Sequence, residues 1–252
     1  MILQTRLPFT PWSDPALARM PGMLPVEGPW VVVDEAYAAQ MAERARLVAE
    51  RPAAVMAGLP GSEAAQAEAL EAVLAALPEG FVRERDRVHC PDGRTVAVGA
   101  PLPTFAALVQ EDMLVLERDA AEWVLRAGLL CFPASWTLAE KIGRPMGRIH
   151  APVPSYDAAL AAKVARLFDR APPGRPMWRA NALGYRDAAL HQPRTEAAPK
   201  REGSVPFLRC ERQTVLKLPR TGAILFAVHT WVVRPEALTP AQREGCPVRF
   251  AA

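Results

Sequence analysis

The sequence predicts an α+β protein, an antiparallel sheet with helices packed on one side and an extended or short-helical segment ahead of it. Three observations carry this. Prolines punctuate the first 33 residues, apolar residues at helical spacing dominate from 34 to 77, and β-prone runs separated by turn residues follow from Val88 onward.

Pro8, Pro11, Pro15, Pro21, Pro25 and Pro29 rule out a long helix in 1–33, because each fixes φ and lacks an amide donor. That stretch is read as an arm laid over a single domain spanning 34–252. Asp34 is the predicted N-cap of a helix over 35–51, which Pro52 ends. Leu70, Val73, Leu74 and Leu77 fall at i, i+3, i+4 and i+7, which predicts a second helix capped by Ser62 and stopped by Pro78 and Gly80. RVHCPDGRTVAV has Pro91, Asp92 and Gly93 between two short runs and reads as a hairpin, with His89 an ordinary strand histidine. Thr104 opens a helix through Phe105, Leu108 and Val109 into Gln110, Glu111 and Asp112, two acids that an exposed helix end explains as easily as catalysis does. MLVLER and EWVLRAGLLCF then read as strands joined at 119–121. A helix over 157–170 shows Leu160, Val164, Leu167 and Phe168 on one face. The stretch 192–203, rich in Ala, Pro and Arg, reads as a mobile loop. FLRCERQTVLKL, a turn at 219–222 and AILFAVHTWVV form the clearest hairpin.

Composition excludes several classes. Half of the 252 residues are apolar, enough for a sizeable core. The 30 Lys and Arg nearly balance 27 Asp and Glu, and a net charge of +3 without a basic stripe does not describe a nucleic-acid binder. No apolar run approaches the roughly 20 residues of a membrane span, and MILQTRLPFTPW has no continuous apolar leader core, so the chain is read as cytoplasmic. The four cysteines include no CxxC pair and are read as reduced, mostly buried thiols.

Two segments carry candidate chemistry. In CFPASWTLAEKIGRPMGRIHAPVP (131–154), His150 sits before Pro152 and Pro154, and a proline-fixed backbone holds an imidazole in one direction. In the last hairpin, alternation puts Ala227, His229 and Trp231 on one face. A three-residue loop sets His229 opposite Glu211 and a two-residue loop sets it opposite Arg212, so register decides the pair. A Glu–His pair on one buried face would move protons or hold a cationic amine, or simply make a cross-strand hydrogen bond. Arg209 shares the face of Glu211 while Arg212 points away, so both arginines cannot grip one carboxylate without a bulge.

These segments, with QEDM at 110–113, RAN at 179–181, and RCERQT with LPRTGAILF at 209–226, resemble the haem-dependent oxidative N-demethylase haem subunits, a family once known only as a domain of unknown function. The likeness runs from Trp30 to Leu238. It implies a PAS-like sheet holding one haem b, His150 as the iron ligand with His229 as the other candidate, and Glu211 and His229 as catalytic groups. Arg179, Asn181, Arg209 and Arg212 are then cofactor-binding residues. The implied reaction removes a methyl group from a small secondary amine as formaldehyde, using dioxygen and electrons. With no GxGxxG turn in the chain, the electrons come from an external flavin and iron–sulfur reductase. A haem-binding sensor or carrier without turnover is the alternative. Where the family usually has tryptophan after the Arg-x-Asn segment, this chain has Ala182, which is expected to remove an aromatic from the haem pocket.

Overall fold

The computed structural model describes residues 1–18, 20–120, 122–153, 155–199 and 203–250. Pro154 of the histidine segment, Ala121 of the expected 119–121 turn and 200–202 of the expected loop lie outside them. In chain order the elements are α1 (Pro15–Ala18), β1 (Leu24–Pro25), α2 (Tyr37–Glu50), α3 (Pro52–Val55), β2 (Met56–Gly58), α4 (Glu63–Ala75), β3 (Val82–Arg83), β4 (Arg87–His89), β5 (Thr95–Ala97) and α5 (Pro101–Leu108). There follow β6 (Asp112–Asp119), β7 (Glu122–Leu129), α6 (Leu138–Lys141), α7 (Met146–His150), α8 (Ala158–Arg170), β8 (Met177–Tyr185), β9 (Phe207–Lys217), β10 (Ile224–Val233) and α9 (Pro240–Arg243).

Strand alternation organises the core. The large sheet runs β1-β8-β9-β10-β6-β7-β2 with every pair antiparallel, and β3-β4-β5 make a small second sheet. Met113 and Val115 of β6 point to one side, where they join Met41 of α2, Val73 of α4 and Phe105 of α5. Leu114 and Leu116 point to the other, where they join Leu138 of α6 and Phe168 of α8, with Ile149 of α7 packed alongside. We call these the arm face and the α8 face. On the arm face, Leu7 and Phe9 of the N-terminal segment pack against Trp231 and Val233 at the end of β10. On the α8 face, Gly128 lets α6 approach: a Cβ there would lie 2.8 Å from Leu114 Cδ2 and 3.1 Å from Leu138 Cδ1.

The α+β class is as the sequence predicts, but the helices cover both faces rather than one. The physical reason lies in β6 and β7, which are apolar on both sides, and a sheet with two apolar faces needs two covers. Several ends also differ. α2 begins at Tyr37, because Asp34 turns the chain first, its Oδ1 accepting from the Ala36 N–H at 2.9 Å. Ser62 precedes α4 but does not cap it, since its hydroxyl donates to the Leu59 carbonyl at 2.6 Å. α5 starts at Pro101, whose missing N–H suits a first helical position. Thr104 lies inside that turn and donates to the Ala100 carbonyl at 2.8 Å. Gln110, Glu111 and Asp112, expected at an exposed helix end, are all buried. Among the described residues no helix is long and apolar enough to cross a membrane.

Candidate functional site

Register decides which side chains meet. β9 and β10 set Glu211 opposite Thr230 and Arg212 opposite His229, while β8 sets Asn181 opposite Glu211 and Arg179 opposite Gln213. Successive residues point to opposite faces, so Arg179, Asn181, Arg209, Glu211 and Gln213 share the α8 face with Phe226. Arg212, His229 and Trp231 share the arm face. The hairpin closes with the Leu218 N–H on the Ala223 carbonyl, and the loop 219–222 has the even parity that pairs His229 with Arg212. Of the two registers open to the sequence, the structure takes this one. Glu211 and His229 lie on opposite sides of the sheet and are not partners.

Glu211 is buried, and the partners of its carboxylate are all donors. Arg209 gives Nε and one terminal nitrogen to Oε1, both at 3.3 Å. Asn181 Nδ2 donates to Oε2 at 3.0 Å and Gln213 Nε2 reaches the same oxygen at 3.4 Å. Asn181 Oδ1 accepts from the Glu211 backbone N–H at 3.0 Å, so one amide holds the residue at both ends. The rest of the Arg209 guanidinium donates to the carbonyls of Leu190, at 2.9 Å, and Phe132. Arg179 donates to Gln213 Oε1 at 2.9 Å, and its Nε is buried without a partner among the described residues. Burial lowers the Arg179 pKa below the ordinary arginine value, against the pull of Glu211.

His150 ends α7 on the same side of the sheet. Its Nδ1 lies 3.0 Å from the Met146 carbonyl, one helical turn back, which makes Nδ1 the protonated nitrogen and leaves the lone pair on Nε2. Burial pushes the pKa of the ring below the usual histidine value, and the Lys141 ammonium adds to that shift while the bond to Met146 opposes it. The ring stacks on Tyr156 at 4.2 Å. α7 is itself held: Lys141 Nζ donates to the Ile149 carbonyl at 2.7 Å, and Glu196 takes both terminal nitrogens of Arg148 at 3.0 and 2.9 Å. The stretch read from sequence as a mobile loop therefore supplies, through Glu196, a tie to this helix. His191 went unnoticed in the sequence and shares one feature, its Nδ1 lying 2.8 Å from the Cys131 carbonyl. Which carbonyl an imidazole meets is fixed by tertiary contact, so no local pattern announces it.

The arm face carries a separate buried network. His229 Nε2 lies 3.1 Å from Asp34 Oδ2 and Nδ1 lies 3.4 Å from Glu111 Oε1. Burial alone would lower the pKa of His229, but the bonds and charges of the two carboxylates outweigh it and leave the pKa above the ordinary value. Burial likewise raises Asp34, and His229, Gln110 and Gln4 together bring it down to about 2. Gln4 also ties the N-terminal segment to β10, its side chain accepting from the Val232 N–H at 2.8 Å. Arg212 stacks over Trp178 at 5.1 Å on this face. Ala182 points here too, packing beside Cys210 and Trp231. An aromatic at 182 would point to the arm face, on the side of the sheet opposite Glu211.

A family model described as haem-dependent oxidative N-demethylase, alpha subunit-like, matches residues 26–247. The chain belongs to that family. For a haem-dependent N-demethylase alpha subunit-like protein, the test is whether the α8 face can take the macrocycle. A haem needs an axial ligand whose second nitrogen is fixed, an apolar wall and a cation for its carboxylates. The α8 side carries a group of each kind: His150 with its Nδ1 fixed by Met146, the half-buried Trp136, Ile149 and Phe226, and Arg179, whose Nε is unpaired among the described residues. His229 has both ring nitrogens engaged by carboxylates and fits less well as a ligand. Among the described residues no three His, Cys, Asp or Glu side chains gather to hold a bare metal ion, and a porphyrin, which brings its own four nitrogens, requires no such group.

Proposed function

We propose that this chain binds one haem b on the α8 face, with His150 as its axial ligand and the sheet as a PAS-like chamber, and removes a methyl group from a small secondary amine. The observation that carries the reading is the His150 Nδ1 contact with the Met146 carbonyl at 3.0 Å, which prepares a neutral imidazole whose other nitrogen has no partner among the described residues. When bound, the haem supplies the activation of dioxygen, and formaldehyde leaves with the methyl carbon. Arg179 pairs with a propionate, since its unpaired Nε is suited to a carboxylate. Glu211 accepts from the N–H of the amine and orients it. Arg209 is held by two carbonyls and Glu211, so it serves the protein rather than the cofactor. Arg212 and His229, on the other face, hold the arm and its packing. Electrons come from a separate flavin and iron–sulfur reductase in the cytoplasm; the alpha-subunit description of the family supports a partner subunit.

The optical spectrum of the purified protein, followed by formaldehyde measurement with amine, dioxygen and an electron donor, tests this. A Soret band with amine-dependent formaldehyde is the expected result. Full haem loading without formaldehyde from any N-methylamine would instead make the chain a haem-binding sensor or carrier.

A further inference from the structure

We infer that the groove between α8 and the β1–β8 edge of the large sheet is the docking surface for an acidic electron-donor protein. This rests on the reading that electrons come from a separate reductase, and it names where that partner sits. Lys163, Arg166 and Arg170 fall at i, i+3 and i+7 of α8, all exposed, and line a groove of about 410 Å³ whose apolar lining includes Met23, Leu167 and Met177. Asp169, the single acid in 158–177, accepts instead from Arg118 at 2.8 Å and from Trp123 Nε1 at 3.0 Å. The three cations have no side-chain partner among the described residues. Like charges at this spacing repel, and only Arg170, in the last turn, gains from the helix dipole. An acidic surface relieves that repulsion, and the apolar lining gives it a contact core inside a charged rim. The groove also adjoins the side of the sheet assigned to the cofactor. Met177 lies two residues before Arg179 on the same face of β8, and Met23 and Leu167 pack in the cluster that includes Ile149 and Phe226. A donor seated there faces that cluster rather than the His229 network.

The probe is an acidic plant-type ferredoxin, titrated calorimetrically into the full chain with and without haem. Saturable binding is expected at low salt, weakening as salt is added. Lys163→Glu/Arg166→Glu should weaken it about 10- to 100-fold, whereas Arg83→Glu/Arg85→Glu, an equal change of charge at the small second sheet, should leave it within about twofold. In the haem-loaded chain one electron passes from the reduced ferredoxin to ferric haem, oxidising the one and reducing the other. Its rate, read from the Soret band, should fall in step with binding, while reduction by dithionite, which needs no docking, stays the same. Equal losses in the two double variants, binding that neither salt nor the α8 variant alters, or no binding by the wild type would each overturn the inference. Capture by phosphatidylserine vesicles that the α8 variant loses, with ferredoxin binding intact, would overturn it in favour of a lipid surface. If the chain takes up no haem yet loses ferredoxin only in the α8 variant, the docking surface stands and the haem reading fails.

Discussion

At the scale of single residues, His150 and Glu211 differ in what their neighbours leave free. The Met146 carbonyl occupies Nδ1 of His150, and Nε2 has no partner among the described residues. His150→Ala should therefore lose haem or displace its Soret band, whereas His229→Ala and His191→Ala leave the spectrum unchanged. A shift in the His229 variant alone would transfer the ligand role to the other face. Because the macrocycle is held by no thioether motif, it should extract into acidified organic solvent. For Glu211, replacement by Gln keeps the shape and removes the charge. Haem content should stay near wild type while turnover falls by about 10²- to 10⁴-fold, the range for a group acting on a proton or charge in the reaction. Normal turnover in that variant would reduce Glu211 to a strand-to-strand contact.

At the scale of elements, the start of β6 holds more of the fold than its length implies. Asp112 pairs with Arg44 of α2 at 2.9 Å and accepts from the Cys131 and Phe132 N–H groups at 2.8 Å each, so one carboxylate ties a helix to the end of β7. Arg44→Ala leaves that charge buried and unpaired, and should cost about 3–5 kcal/mol, read as a fall in the urea midpoint. The neighbouring network ties down the arm in a pH-dependent way. His229 has a raised pKa in the fold, so its contribution is complete below the ordinary value of 6.5 and is lost as pH rises through the folded value. Asp34, lowered to about 2 from 3.8, contributes above that ordinary value and loses its effect as pH falls toward about 2. Hydrogen exchange in 1–33 should accelerate on the alkaline side, and His229→Gln should remove the alkaline step. Little of this could be read from the chain. The 207–233 hairpin announces itself through period-two alternation around a turn, and helix 158–170 through its apolar stripe, because both are local patterns. The partners of Glu111 and Asp112 come from α2, β7 and the arm, and only the closed fold brings them together. Glu211 and Arg209 were legible as face-mates, since alternation needs no tertiary information, whereas the choice between Glu211 and Arg212 as the neighbour of His229 waited on loop parity.

At the scale of the whole molecule, the chain lacks the glycine-rich turn that would hold a nicotinamide or flavin, and the alpha-subunit description of its family accords with work shared among polypeptides. The isolated protein should give little NADPH-driven formaldehyde, and adding a flavin and iron–sulfur reductase should restore it. Steady NADPH oxidation coupled to formaldehyde in its absence would remove the need for a partner. The two faces of the sheet differ: one carries Glu211 and its donors, the other fastens the N-terminal segment. Loop 219–222 keeps the two sets of side chains apart. Trimming it by two residues would preserve which side every residue of β10 faces, but trimming it by one would turn the strand over, offering His229 to the α8 face and Thr230 to the arm. In this fold, counting odd or even in a surface turn separates a working protein from one with its interior exchanged.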